Sequence, residues 1–198
     1  GMYEPPIGAA QGWLEPLDNL GDDYDTDDIL PAMRAGLSYE DQLYAAPFYG
    51  ESSMVMYRTD LMEQAGLEMP EAPTWEFIAE AAEAMTDKDN EIYGVCLRGK
   101  AGWGENMAFI TTVANSFGAR WFNEDWEPQL DSPEWAEAVT FYNDLIQNYG
   151  PPGASNNGFN ENLALFQQGK CGMWIDATVA ASFVTNPDDS TVADSVGF

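Results

Sequence analysis

Met54-Val55-Met56-Tyr57-Arg58 is a short apolar run, and Thr59-Asp60-Leu61-Met62-Glu63-Gln64-Ala65-Gly66 follows it directly. The first run reads as a buried strand. Asp60 then reads as an N-cap, Glu63 completes a capping box, and Gly66 closes a short helix. A strand passing straight into a helix is the unit from which layered α/β domains are built.

The same alternation continues toward the C-terminus. Pro70 to Pro73 forms a turn, and Thr74 is a good N-cap. Trp75, Ile78, Ala79, Ala82 and Met85 recur at helical spacing behind it. A polar turn over residues 87–91 precedes a strand near residues 92–97, and a Gly-rich loop over residues 98–105 follows. Residues 106–117 read as a buried helix stopped by Gly118. Ser132-Pro133 starts another, with Trp135, Ala138, Val139, Tyr142 and Ile146 as its apolar stripe. Asn160 reads as the cap of a helix ending before Gly169. Residues 171–175 read as a buried strand, and residues 178–184 as a helix of small residues. No internal repeat is visible.

Toward the N-terminus the organisation is looser. Residues 12–17 form a surface turn. The acidic run Asp22-Asp23-Tyr24-Asp25-Thr26-Asp27-Asp28 does not fit a calcium loop, because its sixth position from Asp23 is Asp28 rather than Gly and its twelfth is Arg34 rather than Glu. It reads instead as the acidic start of a helix over residues 29–35.

Composition excludes several classes of function. Of 198 residues, 34 are acidic and 7 basic, for a net charge of −27, and none is His. There is no basic footprint for nucleic acid, and anionic membranes repel such a chain. Metal sites built on His and Ser-His-Asp triads are ruled out. No cofactor or metal is expected. No apolar run is long enough to span a bilayer. The 45% apolar fraction supports a sizeable core. Cys96 and Cys171 each fall in a strand-like run, and two readings stand for them, a disulfide between neighbouring strands or two buried thiols.

The aromatics suggest where chemistry sits. Trp75 and Trp135 lie on helical core stripes, whereas Trp103, Trp121, Trp126 and Trp174 lie in loops or at strand ends, next to Gly or polar groups. Loops at strand ends are where ligand sites of α/β domains form. A flat ring there can stack on the C–H face of a sugar or polyol while carboxylates, amides and Arg take its hydroxyls. Glu51, Arg98, Glu105, Asn106 and Asp176 are the polar companions. The bland reading of each is a cap, a salt bridge or a solvated side chain, and Arg98 and Asp176 fit a simple mutual pair.

Tyr44-Ala45-Ala46-Pro47-Phe48-Tyr49-Gly50-Glu51-Ser52-Ser53-Met54-Val55-Met56-Tyr57 resembles the lobe crossover of family 1 extracellular solute-binding proteins of ABC transporters, which include the maltose-binding type. Pro73-Thr74-Trp75-Glu76 resembles the family's helix start in lobe two, and Gly169-Lys170-Cys171-Gly172-Met173-Trp174 is a pattern it often carries. Three stretches are similar to its sorbitol/mannitol-binding branch. They are Leu97-Arg98-Gly99-Lys100-Ala101-Gly102-Trp103-Gly104-Glu105-Asn106, Phe117-Gly118-Ala119-Arg120-Trp121-Phe122, and Trp174-Ile175-Asp176-Ala177-Thr178-Val179-Ala180.

The resemblance implies an α/β, periplasmic-binding-protein-like lobe of the maltose-binding type, as a fragment of a two-lobed protein. Residues 1–48 are then part of lobe one and residues 49–198 most of lobe two. The family's leading strands, final helices and export signal fall outside these residues. The implied function is capture of a sugar alcohol (sorbitol or mannitol) or related sugar in an interlobe cleft. Delivery to the permease subunits of an ABC importer follows, in the periplasm or outside the cell, by a receptor that is monomeric when full length. By that comparison Tyr3 is a wall of the cleft from lobe one. Glu51, Arg98, Trp103, Trp121, Trp174 and Asp176 contribute from lobe two, and Tyr49 and Asn106 complete the candidate set.

Two other functions compete with this one. A glycosidase would use Glu51 and Asp176 as its carboxylate pair, which requires them to flank a scissile bond. A structural or adhesion module would have all its aromatics in the core.

Overall fold

A computed structural model describes residues 3–17, 20, 21 and 23–198, and the chain divides into two compact units, Gly1–Glu51 and Ser52–Phe198. The sequence predicts this boundary three residues earlier, between 48 and 49. Residues 44–49 stay with the first unit because they pack there: the Tyr44 N–H donates to the Leu37 carbonyl, and Ala45 to Tyr49 share a cavity with Tyr3 and Leu37.

The first unit holds α1 (Glu4–Ala10), α2 (Pro31–Gly36), β1 (Ser38–Tyr39) and β2 (Gln42–Leu43). β1 and β2 form an antiparallel hairpin whose tip residues, Glu40 and Asp41, both have positive φ. That geometry matches the twist of the two short strands. The acidic run does not lead into α2 as expected. The helix starts at Pro31 with no acidic residue in its first turn, and Asp27 pairs instead with Arg34, 2.9 Å away. Proline suits the first turn because it needs no amide hydrogen there.

The second unit is a three-layer α/β sandwich. In chain order it runs β3 (Ser53–Arg58), α3 (Thr59–Gln64), α4 (Trp75–Met85), β4 (Tyr93–Cys96), α5 (Asn106–Ser116), α6 (Pro133–Tyr149), α7 (Phe159–Gln167), β5 (Cys171–Ala177), α8 (Ala180–Val184) and β6 (Val196–Gly197). The sheet order is β4-β5-β3-β6, with β4 parallel to β5 and the other two pairings antiparallel. Val95, Met173 and Ile175 join the core cluster of α4, α5 and α6. Met56, Cys96 and Trp174 join Phe166 of α7 and Ala180 and Val184 of α8 in a second cluster. Alternate residues of a strand point to opposite faces, so helices cover both faces and β5 is buried from Cys171 to Asp176.

Local chemistry explains most of the elements. Thr74 Oγ1 accepts the Phe77 N–H at 3.2 Å and starts α4, and Ser132 Oγ accepts the Trp135 N–H at 3.4 Å and starts α6. α4 lies so close to β4 that a Cβ on Gly94 would come within 1.7 Å of the Ala82 carbonyl oxygen. Only glycine fits there. Cys96 and Cys171 form a disulfide, with Cα atoms 5.8 Å apart, which ties β4 to β5. No helix among the described residues is long and apolar enough to cross a membrane.

Two expected caps differ. Arg58 occupies the N-cap of α3, and Asp60 sits inside the first turn, where its carboxylate takes two bonds from the Arg58 guanidinium. The bidentate pair outcompetes the cap because both partners are charged. α7 starts two residues earlier than expected, with Gly158 at its N-cap and Glu161 accepting the Gly158 N–H at 2.8 Å. Asn160 lies within its first turn.

Candidate functional site

The loops at the ends of α5 build a cavity of about 880 Å³ in the second unit. Its lining includes Gly102, Trp103, Asn106, Met107, Thr111 and Trp121. Trp103 stands on the loop that leaves the C-terminal end of β4, and Asn106 opens α5. Trp121 follows the stop of α5 at Gly118, where φ is +79°. Trp103 is 68% exposed and Trp121 37%. Trp121 is held edge-on against Trp135 with ring centroids 4.7 Å apart, and Trp135 itself is anchored by its Nε1–H to the Arg120 carbonyl at 2.7 Å. The indoles supply flat apolar surface. Trp126, further along the loop, is 78% exposed and packs against Phe122 rather than lining this cavity.

The Trp103 loop is pinned at both sides of the ring. Asn106 Oδ1 accepts the Gly102 N–H at 3.2 Å, and Arg98 Nη1 donates to the Gly104 carbonyl at 2.5 Å. Arg98 is itself fixed from several directions. Its carbonyl accepts the Tyr142 hydroxyl at 2.7 Å, its guanidinium lies over the Phe159 ring at 5.3 Å, and Nε and Nη2 grip the Asp176 carboxylate at 2.8 and 2.5 Å. That fork-to-carboxylate bond holds the Arg98 pKa above its ordinary value, against the opposing effect of burial. Glu105 Oε2 lies 3.9 Å from Arg98 Nη1, and Oε1 lies 3.7 Å from Lys100 Nζ.

Two sequence expectations change here. Trp174 is not a stacking surface. It lies within β5, has no exposed surface, and packs between Phe159 and Phe166. Helices on both sides of the sheet leave a ligand no access to it. Asp176 is paired as well. Besides Arg98, Trp174 Nε1–H reaches its Oδ2 at 3.1 Å and the Ala177 N–H reaches its Oδ1 at 2.7 Å. Two donors on each oxygen fill a carboxylate's capacity, and the side chain is 2% exposed. It is not available as a nucleophile or proton donor, which removes one of the two carboxylates that a glycosidase would need.

Tyr3, Tyr49 and Glu51 belong to the first unit. Tyr3 and Tyr49 are exposed and line an apolar cavity of about 710 Å³ with Trp13, Met33, Pro47 and Phe48. Glu51 is exposed at the end of that unit. Sequence reasoning missed Met107, Thr111, Tyr142 and Phe159. The tyrosine stood on a recognised apolar stripe, and only its hydroxyl hinted at a second task. No group of three or more potential metal ligands occurs among the described residues.

The family profile of bacterial extracellular solute-binding proteins matches residues 3–198. The chain belongs to that family. Among its relatives, this chain is 58% identical over 198 residues to a mannitol-binding protein of Pseudomonas aeruginosa, covering all of the chain and 45% of the relative. Among solved structures it is similar to an ABC transporter solute-binding protein of Agrobacterium vitis with bound D-mannitol, at 68% identity and TM-score 0.95, covering all of the chain and 48% of the neighbour. A solute-binding protein of Agrobacterium radiobacter in complex with ribitol matches at 28% identity and TM-score 0.87, over 99% of the chain and 50% of the neighbour. The chain spans about half the length of the relatives it matches. The α/β fold expected from the sequence is the one these neighbours share.

Proposed function

We propose that this chain is part of a substrate-binding receptor of an ABC importer, and that the receptor captures a linear sugar alcohol without altering it. The observation that carries this reading is the cavity where exposed Trp103 and Trp121 flank Asn106. Indole faces match the C–H edge of an extended polyol, and an amide beside them can donate to and accept from hydroxyls. The likeness to proteins whose names or structures carry mannitol and ribitol supports a polyol over an oligosaccharide. The first unit is part of lobe one and the second is most of lobe two. The reading carries with it export to the periplasm or cell exterior, a monomeric receptor and hand-over to a permease, and the match to an extracellular family supports the first of these. The saturated carboxylate of Asp176 favours binding over hydrolysis.

Calorimetry on the full-length protein that contains this chain tests the reading. Mannitol or sorbitol should bind at least tenfold more tightly than maltose, and the polyol should be recovered unchanged. Absence of heat with every polyol, or turnover of a glycoside, would overturn it.

A further inference from the structure

We propose that Arg98 and Asp176 serve ligand binding as positioning residues, clamping the loop that presents Trp103, and that the ligand feels Asp176 only through that loop. The inference rests on the polyol reading of the Trp103 cavity, and it replaces the direct ligand contacts expected for Asp176 and Trp174.

Trp103 lies between two glycines, Gly102 with φ +156° and Gly104. Such a segment has many backbone states, so fixing the flanking peptides limits the directions in which the indole is presented. On the Gly102 flank, Asn106 takes the N–H and the Glu105 and Met107 amides donate to the carbonyl; on the Gly104 flank, Arg98 donates to the carbonyl. The Arg98 bond joins the loop to the buried central strand. The same guanidinium binds Asp176 through two bonds, and Asp176 lies in the buried central strand with its remaining capacity filled by the Trp174 indole and the Ala177 amide. Arg98 has five N–H donors in a planar fork, so it can hold a carboxylate on one edge and a carbonyl on the other. Lysine cannot span both positions in a fixed geometry. Asp176 has no lone pair left for a ligand hydroxyl.

Glu105 fits the same arrangement. A Cβ on Gly158 would come within 2.5 Å of Glu105 Oε2, so the glycine at the start of α7 leaves room for that carboxylate beside Arg98 and Lys100.

A double-mutant cycle on the full-length protein separates positioning from contact. Trp103→Ala should weaken mannitol binding about 10–100-fold, as loss of a stacking anchor does. Asp176→Asn alone should weaken it about tenfold. Added to Trp103→Ala, the same change should cost less than threefold, because there is no longer an indole to position. Arg98→Lys should behave in the same way, and it preserves the charge should Asp176→Asn compromise folding. Independent losses that multiply in the double variants would overturn the proposal, since they would mean direct contact. A readout without ligand keeps the two readings apart. Hydrogen exchange over residues 99–106 should speed up at least tenfold in Asp176→Asn while residues 171–175 stay protected. Unchanged exchange in that loop would overturn the clamp. If no polyol binds to the wild-type protein, the polyol reading fails and the exchange result alone decides the clamp.

Discussion

Trp174 stands in the central strand with no exposed surface, whereas Trp103 stands on the loop after β4 with 68% of its surface exposed. Both follow a glycine-containing stretch, and from the sequence both offer a flat ring beside polar groups. They differ in what lies over them. α7 and α8 pack over Trp174, so its indole fills core volume and its N–H completes the shell of Asp176. Trp103 has the open side of the α5 loops beside it. The comparison shows that in a layered α/β unit a tryptophan's role follows from the layer it occupies, with residue type setting only the range of roles. The interior should therefore respond to mutation through stability, and the rim through binding.

Removing the disulfide should be the most damaging change to the interior. The bond closes a loop of 75 residues, and chain entropy alone makes such a cross-link worth about 4 kcal/mol. Replacing Cys96 and Cys171 together with Ala should lower the unfolding free energy by about that amount in a urea titration of the full-length protein. A loss under about 1 kcal/mol would show that packing alone holds β4 to β5. Next in size, Trp174→Ala should cost about 3–4 kcal/mol, the usual result of deleting a buried aromatic.

The Arg58–Asp60 pair sits between these extremes, half-buried at the end of β3. The hydrogen bond from Arg58 holds the Asp60 pKa below its ordinary value of 3.8. A depressed carboxylate stabilises the fold fully above its unfolded pKa, and the contribution is lost as pH falls through the folded value. Asp60→Asn should therefore cost about 0.5–1 kcal/mol at pH 7. Comparison of the two melting curves should show that gap constant down to about pH 5 and closing below about pH 4. A gap that widened in acid would contradict the sign. The smallest expected effect on stability is at the rim. Trp103→Ala should shift unfolding by less than about 0.5 kcal/mol, and a loss comparable to that of Trp174→Ala would erase the distinction between the two regions.

Much of the fold was legible because it rests on local chemistry. Thr74 and Ser132 cap α4 and α6 as read, and Gly66 and Gly118 close α3 and α5 with positive φ. The apolar runs at residues 54–58, 93–97 and 171–175 coincide with β3, β4 and β5 within one or two residues. The caps differ at Asp60, whose carboxylate pairs with the Arg58 guanidinium, and at Asn160, where Glu161 accepts the Gly158 N–H and the helix starts earlier. The site was half legible. Trp103, Asn106 and Trp121 lie on one cavity because loops at strand and helix ends carry them. Arg98, Trp174 and Asp176 come together as well, but as an internal network.

By itself, the sequence determined the alternation of strands and helices and the lack of His ligands, which local spacing and composition settle without long-range contacts, and the likeness of its residue runs to known solute-binding proteins pointed to the family. It left the cysteines between two states, and it allowed Arg98 and Asp176 either to face a ligand or to pair. Only the tertiary structure decided both. Residues 96 and 171, and 98 and 176, become neighbours when β4 pairs with β5. That pairing reflects the joint burial of two helix layers on one sheet, which no local window of sequence contains.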